Sequence, residues 1–283
     1  MYETLIDVAT LAANLRRPDW VVLDCRFDLA KPTWGEEAHA AGHIEGARYL
    51  HLERDLSSPP TATSGRHPLP DPAAIGARLG DLGIDTDTQV VVHDQSNGMY
   101  AARAWWTLRW LGHRKVALLS GGLAAWTATG QPLVSSSPAP SPRKFTPRVD
   151  ASRIVDVAQL QRELAAGAIR LVDARGADRY AGQNESIDPT AGHVPGAINH
   201  PFARNLDASG QLAAPEILRD LWRATLGGRA PEEMVAMCGS GVSACLNLLA
   251  MEHAGLGGAR LYPGSWSEWI RDPSRPVARG ETP

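Results

Sequence analysis

Short apolar runs bounded by turn residues alternate along this chain with longer stretches of helical periodicity. Val90-Val-Val92 and Met234-Val-Ala-Met237 have the length of buried strands, while residues 72–82, 100–111 and 215–226 space their apolar side chains at helical intervals. Short buried strands alternating with helices predict α/β domains with largely parallel sheets. In such sheets ligands bind at the carboxyl ends of the strands.

One strand-to-helix junction carries chemistry. The run Val235-Ala-Met237 ends on Cys238, the small residues Gly239-Ser-Gly-Val-Ser-Ala244 follow, and an apolar helical pattern resumes through Leu246, Leu248, Leu249 and Met251. A helix N-terminus presents unpaired N–H groups and a positive dipole end, which favour an anion and hence a thiolate. Cys238 is therefore the candidate nucleophile, and Gly239, Gly241, Val242 and Ser243 are expected to bind through backbone amides, the glycines letting the chain curl without Cβ clashes. Ser240 adds a hydroxyl that can bond a leaving group or pass a proton.

The pattern occurs twice. Val21-Val-Leu-Asp24-Cys-Arg26 returns as Arg170-Leu-Val-Asp173-Ala-Arg175, and Gly42-His43-Ile-Glu-Gly-Ala47 returns as Gly192-His193-Val-Pro-Gly-Ala197, each about 150 residues later, the signature of an internal repeat. Gly121-Gly-Leu-Ala-Ala-Trp126 has its echo in Gly264-Ser-Trp-Ser-Glu-Trp269. Between the copies, Gln131-Pro-Leu-Val-Ser-Ser-Ser-Pro-Ala-Pro-Ser-Pro142 suits an extended surface linker. The expected organisation is a domain at 1–130, a linker at 131–150 and a second domain at 151–283. A chain of 283 residues fits two domains, against a prior of roughly 100–200 residues each.

Composition removes other classes. The hydrophobic share is 43%, the charged share 21%, and 28 basic against 31 acidic residues leave a net charge of −3. These values argue for a globular chain without a basic face for nucleic acid or a polybasic membrane tail. Three cysteines without close pairs suit a reducing compartment. With no apolar leader or long apolar span, the expected location is cytoplasmic. No metal or organic cofactor is implied, because the nine histidines and three cysteines lack ligand spacing.

The doubled Asp-x-Arg and Gly-His-Ile/Val-x-Gly-Ala motifs, Ala101-Ala-Arg-Ala-Trp105-Trp106, the paired Gly-Gly-Leu and Gly-Ser-Trp endings and the cysteine loop together resemble the two-domain rhodanese family. Cys238-Gly-Ser-Gly-Val-Ser-Ala244 is similar to its 3-mercaptopyruvate sulfurtransferase branch, which has Thr where this chain has Ser243. The resemblance implies two tandem rhodanese-like domains, each a mainly parallel sheet flanked by helices, the first catalytically inert because Asp94 falls at the cysteine's place. It implies that Cys238 takes a sulfur from a small-molecule donor, 3-mercaptopyruvate or thiosulfate, as a persulfide. The sulfur then passes to a thiol such as thioredoxin or a small thiol, or to cyanide. A persulfide carrier feeding a partner protein is the alternative that the loop leaves open.

By the same resemblance Arg179, in Asp178-Arg-Tyr180, binds the donor carboxylate, although an arginine paired with Asp178 is the competing reading. A relay of Ser240, a histidine and an acid from the first copy is expected by analogy. His43 fits the motif, with Glu36 or Glu37 as the acid, against a reading in which His43 closes a turn as His193 does. The second arginine that mercaptopyruvate enzymes often carry just before Gly-His is missing from Gln183-Asn-Glu-Ser-Ile-Asp-Pro-Thr-Ala191. Arg66 or His67 is the substitute, unless their loop is merely solvated. Arg26 and Arg175 read as structural partners of Asp24 and Asp173, and Cys25 and Cys245 as packed thiols, with a resolving role open for Cys245.

Loop charge separates the donors. The loop 238–245 is uncharged, and a missing cation about 5 Å from a dianion forfeits about 3 kcal/mol per charge pair at an effective dielectric near 20, roughly a hundredfold in affinity. A cysteine phosphatase would need an arginine soon after Cys238; the first one is Arg260.

Overall fold

The strand Gln89–His93 is buried at every position, and Val90, Val91 and Val92 fill the space on both faces of a sheet covered by helices. The computed structural model describes residues 1–282. It divides into two compact units, residues 1–58, 69–150 and 208–212 in one, and 59–68, 151–207 and 213 onward in the other. The short segment 59–68, from the first half of the sequence, thus belongs to the second unit.

The first unit runs β1 (Leu5–Ile6), α1 (Val8–Asn14), β2 (Trp20–Asp24), α2 (Trp34–Ala41), β3 (Arg48–Tyr49), α3 (Pro72–Asp81), β4 (Gln89–His93), α4 (Met99–Trp110), β5 (Val116–Leu119) and α5 (Gly122–Ala128). Its sheet has the order β1-β5-β4-β2-β3, and every pairing is parallel. The second runs α6 (Val157–Ala165), β6 (Arg170–Asp173), α7 (Ala177–Ala181), β7 (Ile198–Asn199), α8 (Pro215–Leu226), β8 (Met234–Met237), α9 (Ala244–His253), β9 (Arg260–Leu261) and α10 (Ser265–Trp269). Its sheet is also parallel, in the order β7-β6-β8-β9.

Local chemistry sets the helix ends. The Asp71 carboxylate caps α3 by accepting from Ala74 N at 2.9 Å, with Pro72 in the first turn; Asp156 does the same for α6 through Gln159 N at 2.7 Å. Helix α8 starts on Pro215, turns Leu218, Trp222 and Leu226 inward, and stops at Gly227, which has φ of 59°. Stretch 131–150 is extended as its prolines require and lies on the first unit: Val134 exchanges both backbone bonds with His43 at 2.9 Å, and Arg143 N donates to Gly80 O at 2.8 Å.

The repeated motifs interlock. In each unit the Asp-x-Arg pair is buried, with Arg26 Nη2 to Asp24 Oδ2 at 2.6 Å and Arg175 Nη2 to Asp173 Oδ2 at 2.7 Å. Each arginine also donates to the glycine carbonyl of the Gly-His motif, Gly42 O or Gly192 O, at 2.8 Å. That bond is why the two motifs recur together: a buried guanidinium must satisfy its donors, and the glycine carbonyl accepts one of them.

Candidate active site

Cys238 follows β8 directly and is 2% exposed. Its amide donates to Ser265 Oγ at 3.1 Å, and its carbonyl accepts from Trp266 N at 3.0 Å. The Ser265 hydroxyl in turn donates to Tyr262 O at 3.0 Å. Gly241 turns the loop with φ of 73°, where an added Cβ would lie 2.4 Å from Pro263 O. A side chain at that position is excluded by both strain and space.

Asp94 occupies the corresponding place in the first unit. Leu123 N donates to Asp94 O at 2.9 Å, as Trp266 N does to Cys238 O, and Cys25 N to His93 O matches Ala174 N to Met237 O. The Asp94 carboxylate collects four backbone amides: Ser96 and Gly98 on Oδ1 at 3.0 Å, Tyr100 and Ala101 on Oδ2 at 2.9 and 3.3 Å. In the second unit the amides of Gly239, Ser240, Val242, Ser243 and Ala244 have no acceptor among the described residues. At the matching positions the amides of Ser240, Val242 and Ala244 are among these, while the counterpart of Ala101, Cys245, donates its amide to Val242 O at 3.0 Å.

Ser240 is buried, and its hydroxyl lies 2.8 Å from His67 Nδ1. The histidine expected in that role, His43, is elsewhere engaged. Its Nδ1 meets His39 O and its Nε2 meets Ser137 Oγ, both at 2.8 Å, and its ring stacks on His39 at 4.1 Å, inside the first unit. His193 likewise meets Tyr180 O at 2.9 Å and stacks on Tyr180 at 3.8 Å. Both motif histidines therefore close turns, and Glu36 pairs with Arg54 while Glu37 pairs with Lys31. The Ser240 partner comes instead from the turn-rich segment 59–68, through a tertiary contact between residues 173 positions apart.

Arg179 and Arg66 approach Gly239 together. A Cβ on Gly239 would lie 3.3 Å from Arg66 Nη2, 3.6 Å from Arg179 Nη2 and 3.7 Å from Asp188 Oδ2. Asp188 bridges the two cations, accepting from Arg66 Nη1 at 2.7 Å and Arg179 Nη2 at 3.0 Å. Glu185 takes the Nε side of Arg179 at 3.0 Å. Burial alone would raise the Glu185 carboxyl, but Arg179 and the amides of Ile187 and Asp188 hold it below its ordinary value. The segment 183–191 thus contributes two carboxylates that aim arginines, while Arg66 supplies the second guanidinium beside the loop. Arg66 N is itself fixed on Ser267 Oγ at 3.0 Å.

Cys245 is buried one helical step behind the loop, its thiol 3.3 Å from Gly241 O. Cys25 is buried too, and burial together with Asp24, Asp94 and Asp55 pushes its thiol well above the ordinary range. Sequence reading passed over Asp188, Glu185 and Ser265. For Ser265 a signal exists in the repeat: its twin is Gly122, with φ of 56°, and Ser265 keeps that left-handed backbone at 55°, unlike any other non-glycine among the described residues.

The rhodanese-like domain model matches residues 7–129 and again 156–272. A probable 3-mercaptopyruvate sulfurtransferase of Pseudomonas aeruginosa is 49% identical over 279 residues, 98% of each chain. A thiosulfate sulfurtransferase of Rattus norvegicus is 32% identical, covering 100% of this chain and 97% of its own. The crystal structure of SseA from Escherichia coli, described with the rhodanese fold of 3-mercaptopyruvate sulfotransferases, superposes with a TM-score of 0.81 at 28% identity, over 94% of this chain and 100% of that one. With the domain matched twice, and in the same two halves that carry the cysteine loop and its aspartate twin, the chain belongs to the rhodanese-like family.

Proposed function

We propose that this protein is a sulfurtransferase that moves a sulfane sulfur from 3-mercaptopyruvate through a persulfide on Cys238 to an acceptor thiol or cyanide. The observation that carries the reading is the contrast between the two cradles. Four amides bind the Asp94 carboxylate in the first unit, whereas those of Gly239, Ser240, Val242, Ser243 and Ala244 are left for an anion that the reaction itself creates.

In the first step the Cys238 thiolate attacks the donor sulfur. An S–S bond forms, the donor C–S bond breaks, and its electron pair leaves on carbon as the enolate of pyruvate, which takes a proton. The Ser240 hydroxyl, bonded to His67, is the proton-carrying group of the loop. Persulfide negative charge then rests on the outer sulfur among the loop amides of Gly239, Ser240, Val242 and Ser243. In the second step an acceptor thiolate attacks that outer sulfur, the S–S bond to Cys238 breaks, and the enzyme thiolate returns. Arg179 and Arg66 bind the donor carboxylate, their geometry suited to two oxygens. The first unit, with Asp94 in the cysteine's place, forms no persulfide.

A second reading, thiosulfate as donor, draws support from the same arginines: two guanidinium groups near an uncharged loop also suit a dianion. The test measures pyruvate release from 3-mercaptopyruvate and sulfite release from thiosulfate side by side, with a small thiol as acceptor. Wild type should release pyruvate faster and gain the mass of one sulfur. Cys238→Ser should do neither and Cys245→Ser should do both. Transfer that survives the loss of Cys238 would overturn the assignment. Among the described residues no helix is long and apolar enough to cross a membrane.

A further inference from the structure

We infer that the first unit carries a second binding site, a cavity lined by Arg48 that takes a small organic anion: a carboxylate or phosphate head on an apolar body. The cavity measures about 320 Å³ and lies between β2, β3, the end of α3 and the extended strap at 139–143. Leu15, Trp20, Leu82 and Pro140 form apolar walls, and four cations, Arg16, Arg17, Arg48 and Arg143, line it with one carboxylate, Glu45, on a chain whose net charge is −3. A volume of this size accommodates a small organic molecule.

The four arginines differ in one respect. Arg16 pairs with Glu45 at 3.2 Å, Arg17 with Asp19 at 2.8 Å and Arg143 with Asp85 at 3.1 Å. The Arg48 guanidinium has no ion-pair or hydrogen-bond partner among the described residues. Burial pulls it below its ordinary value with no acid to offset the effect. A partly desolvated guanidinium lacking a partner is a cost to folding that an anionic ligand removes.

The duplication supplies the control. Leu23 pairs with Arg48 across β2 and β3, and Val172 pairs with Ile198 at the same register of β6 and β7. The fold accepts an aliphatic residue at this position in one copy, so the cation in the other is not required by the sheet. The neighbouring Glu45 likewise stands where the second copy has Pro195. The pairs at the mouth are solvent-exposed, with Arg16 and Arg17 side chains 84% and 56% exposed. Such pairs hold their geometry weakly and can turn toward an incoming anion.

Calorimetric titration of the full-length protein with phenyl phosphate and with inorganic phosphate tests the site. Phenyl phosphate should bind more tightly than inorganic phosphate and should weaken as salt is added. Arg48→Ile, which copies the twin, should lower its affinity at least about tenfold, the loss expected for a charged hydrogen bond. Arg48→Lys should retain part of it, and sulfur transfer by both variants should stay at the wild-type rate. Absence of heat with phenyl phosphate, equal affinity for the two probes, or an Arg48→Ile protein that binds as wild type would overturn the proposal.

Discussion

Ser265 Oγ accepts the amide hydrogen of Cys238 at 3.1 Å, from a backbone with φ of 55° that the twin unit gives to a glycine. A non-glycine residue in that region costs about 1–2 kcal/mol. The hydroxyl fixes the peptide of Cys238, the proposed nucleophile.

Replacing Ser265 with Gly should therefore separate stability from activity. Relief of strain should leave thermal stability equal or higher, while loss of the hydroxyl frees the Cys238 amide and should lower the sulfur-transfer rate about tenfold. Ser265→Ala keeps the strain and loses the bond, so it should be worse on both counts. Equal activity of the glycine variant would show that the bond has no part in positioning the thiol.

Ser240 and His67 form the second relationship, at 2.8 Å. If the pair moves a proton in the first step, Ser240→Ala and His67→Gln should each reduce pyruvate release by about a hundredfold. The combined variant should be little worse than either, because the residues act as a unit. Alkylation of Cys238 by iodoacetamide should stay near its wild-type rate. Additive losses in the double variant would separate the two residues.

The arginines beside Gly239 are the proposed site of the donor carboxylate. Arg66→Met or Arg179→Met should raise the Michaelis constant for 3-mercaptopyruvate about tenfold or more, since a charged hydrogen bond contributes about 1.5–3 kcal/mol. Both variants should slow alkylation by iodoacetate much more than by iodoacetamide, a difference that a purely structural role would not produce. An unchanged ratio of the two reagents in Arg66→Met would remove Arg66 from donor binding.

Acid should weaken the second unit through His200. Burial, aided by the Arg204 charge, pulls this ring from 6.5 down to about 4, with Asn205 only partly opposing. Below the unfolded value the unfolded chain takes a proton that the folded site refuses. The contribution is thus present above about pH 6.5 and is lost as pH falls toward 4, on the order of 3 kcal/mol. The ring is buried and stacks on Trp222 at 4.1 Å. Denaturant titrations across pH 7 to 4 should show a shallower decline for His200→Gln than for wild type; parallel declines would exclude the site.

Much of this architecture was legible in the order of residues. Alternating short apolar runs and helical periods specify parallel α/β units because strand burial and helix amphipathicity are local patterns. The repeat was visible because each copy keeps the same buried Asp-x-Arg pair and the glycine carbonyl that the arginine needs. The proposed nucleophile was legible because its loop is continuous: Cys238, the small residues and the start of α9 are neighbours in the chain.

Other features were decided only by folding. His43 sits in a recognisable motif and yet closes a turn, while His67, in a proline-rich stretch without periodicity, reaches Ser240. Asp188, in the stretch 183–191 that has no arginine, holds Arg66, more than a hundred residues away, beside Arg179. A strand or a loop is written in contiguous residues because its hydrogen bonds and burial repeat at fixed intervals. A partnership between single side chains from distant segments has no such interval, and it forms only when the fold brings segment 59–68 within reach of Ser240 and Asp188.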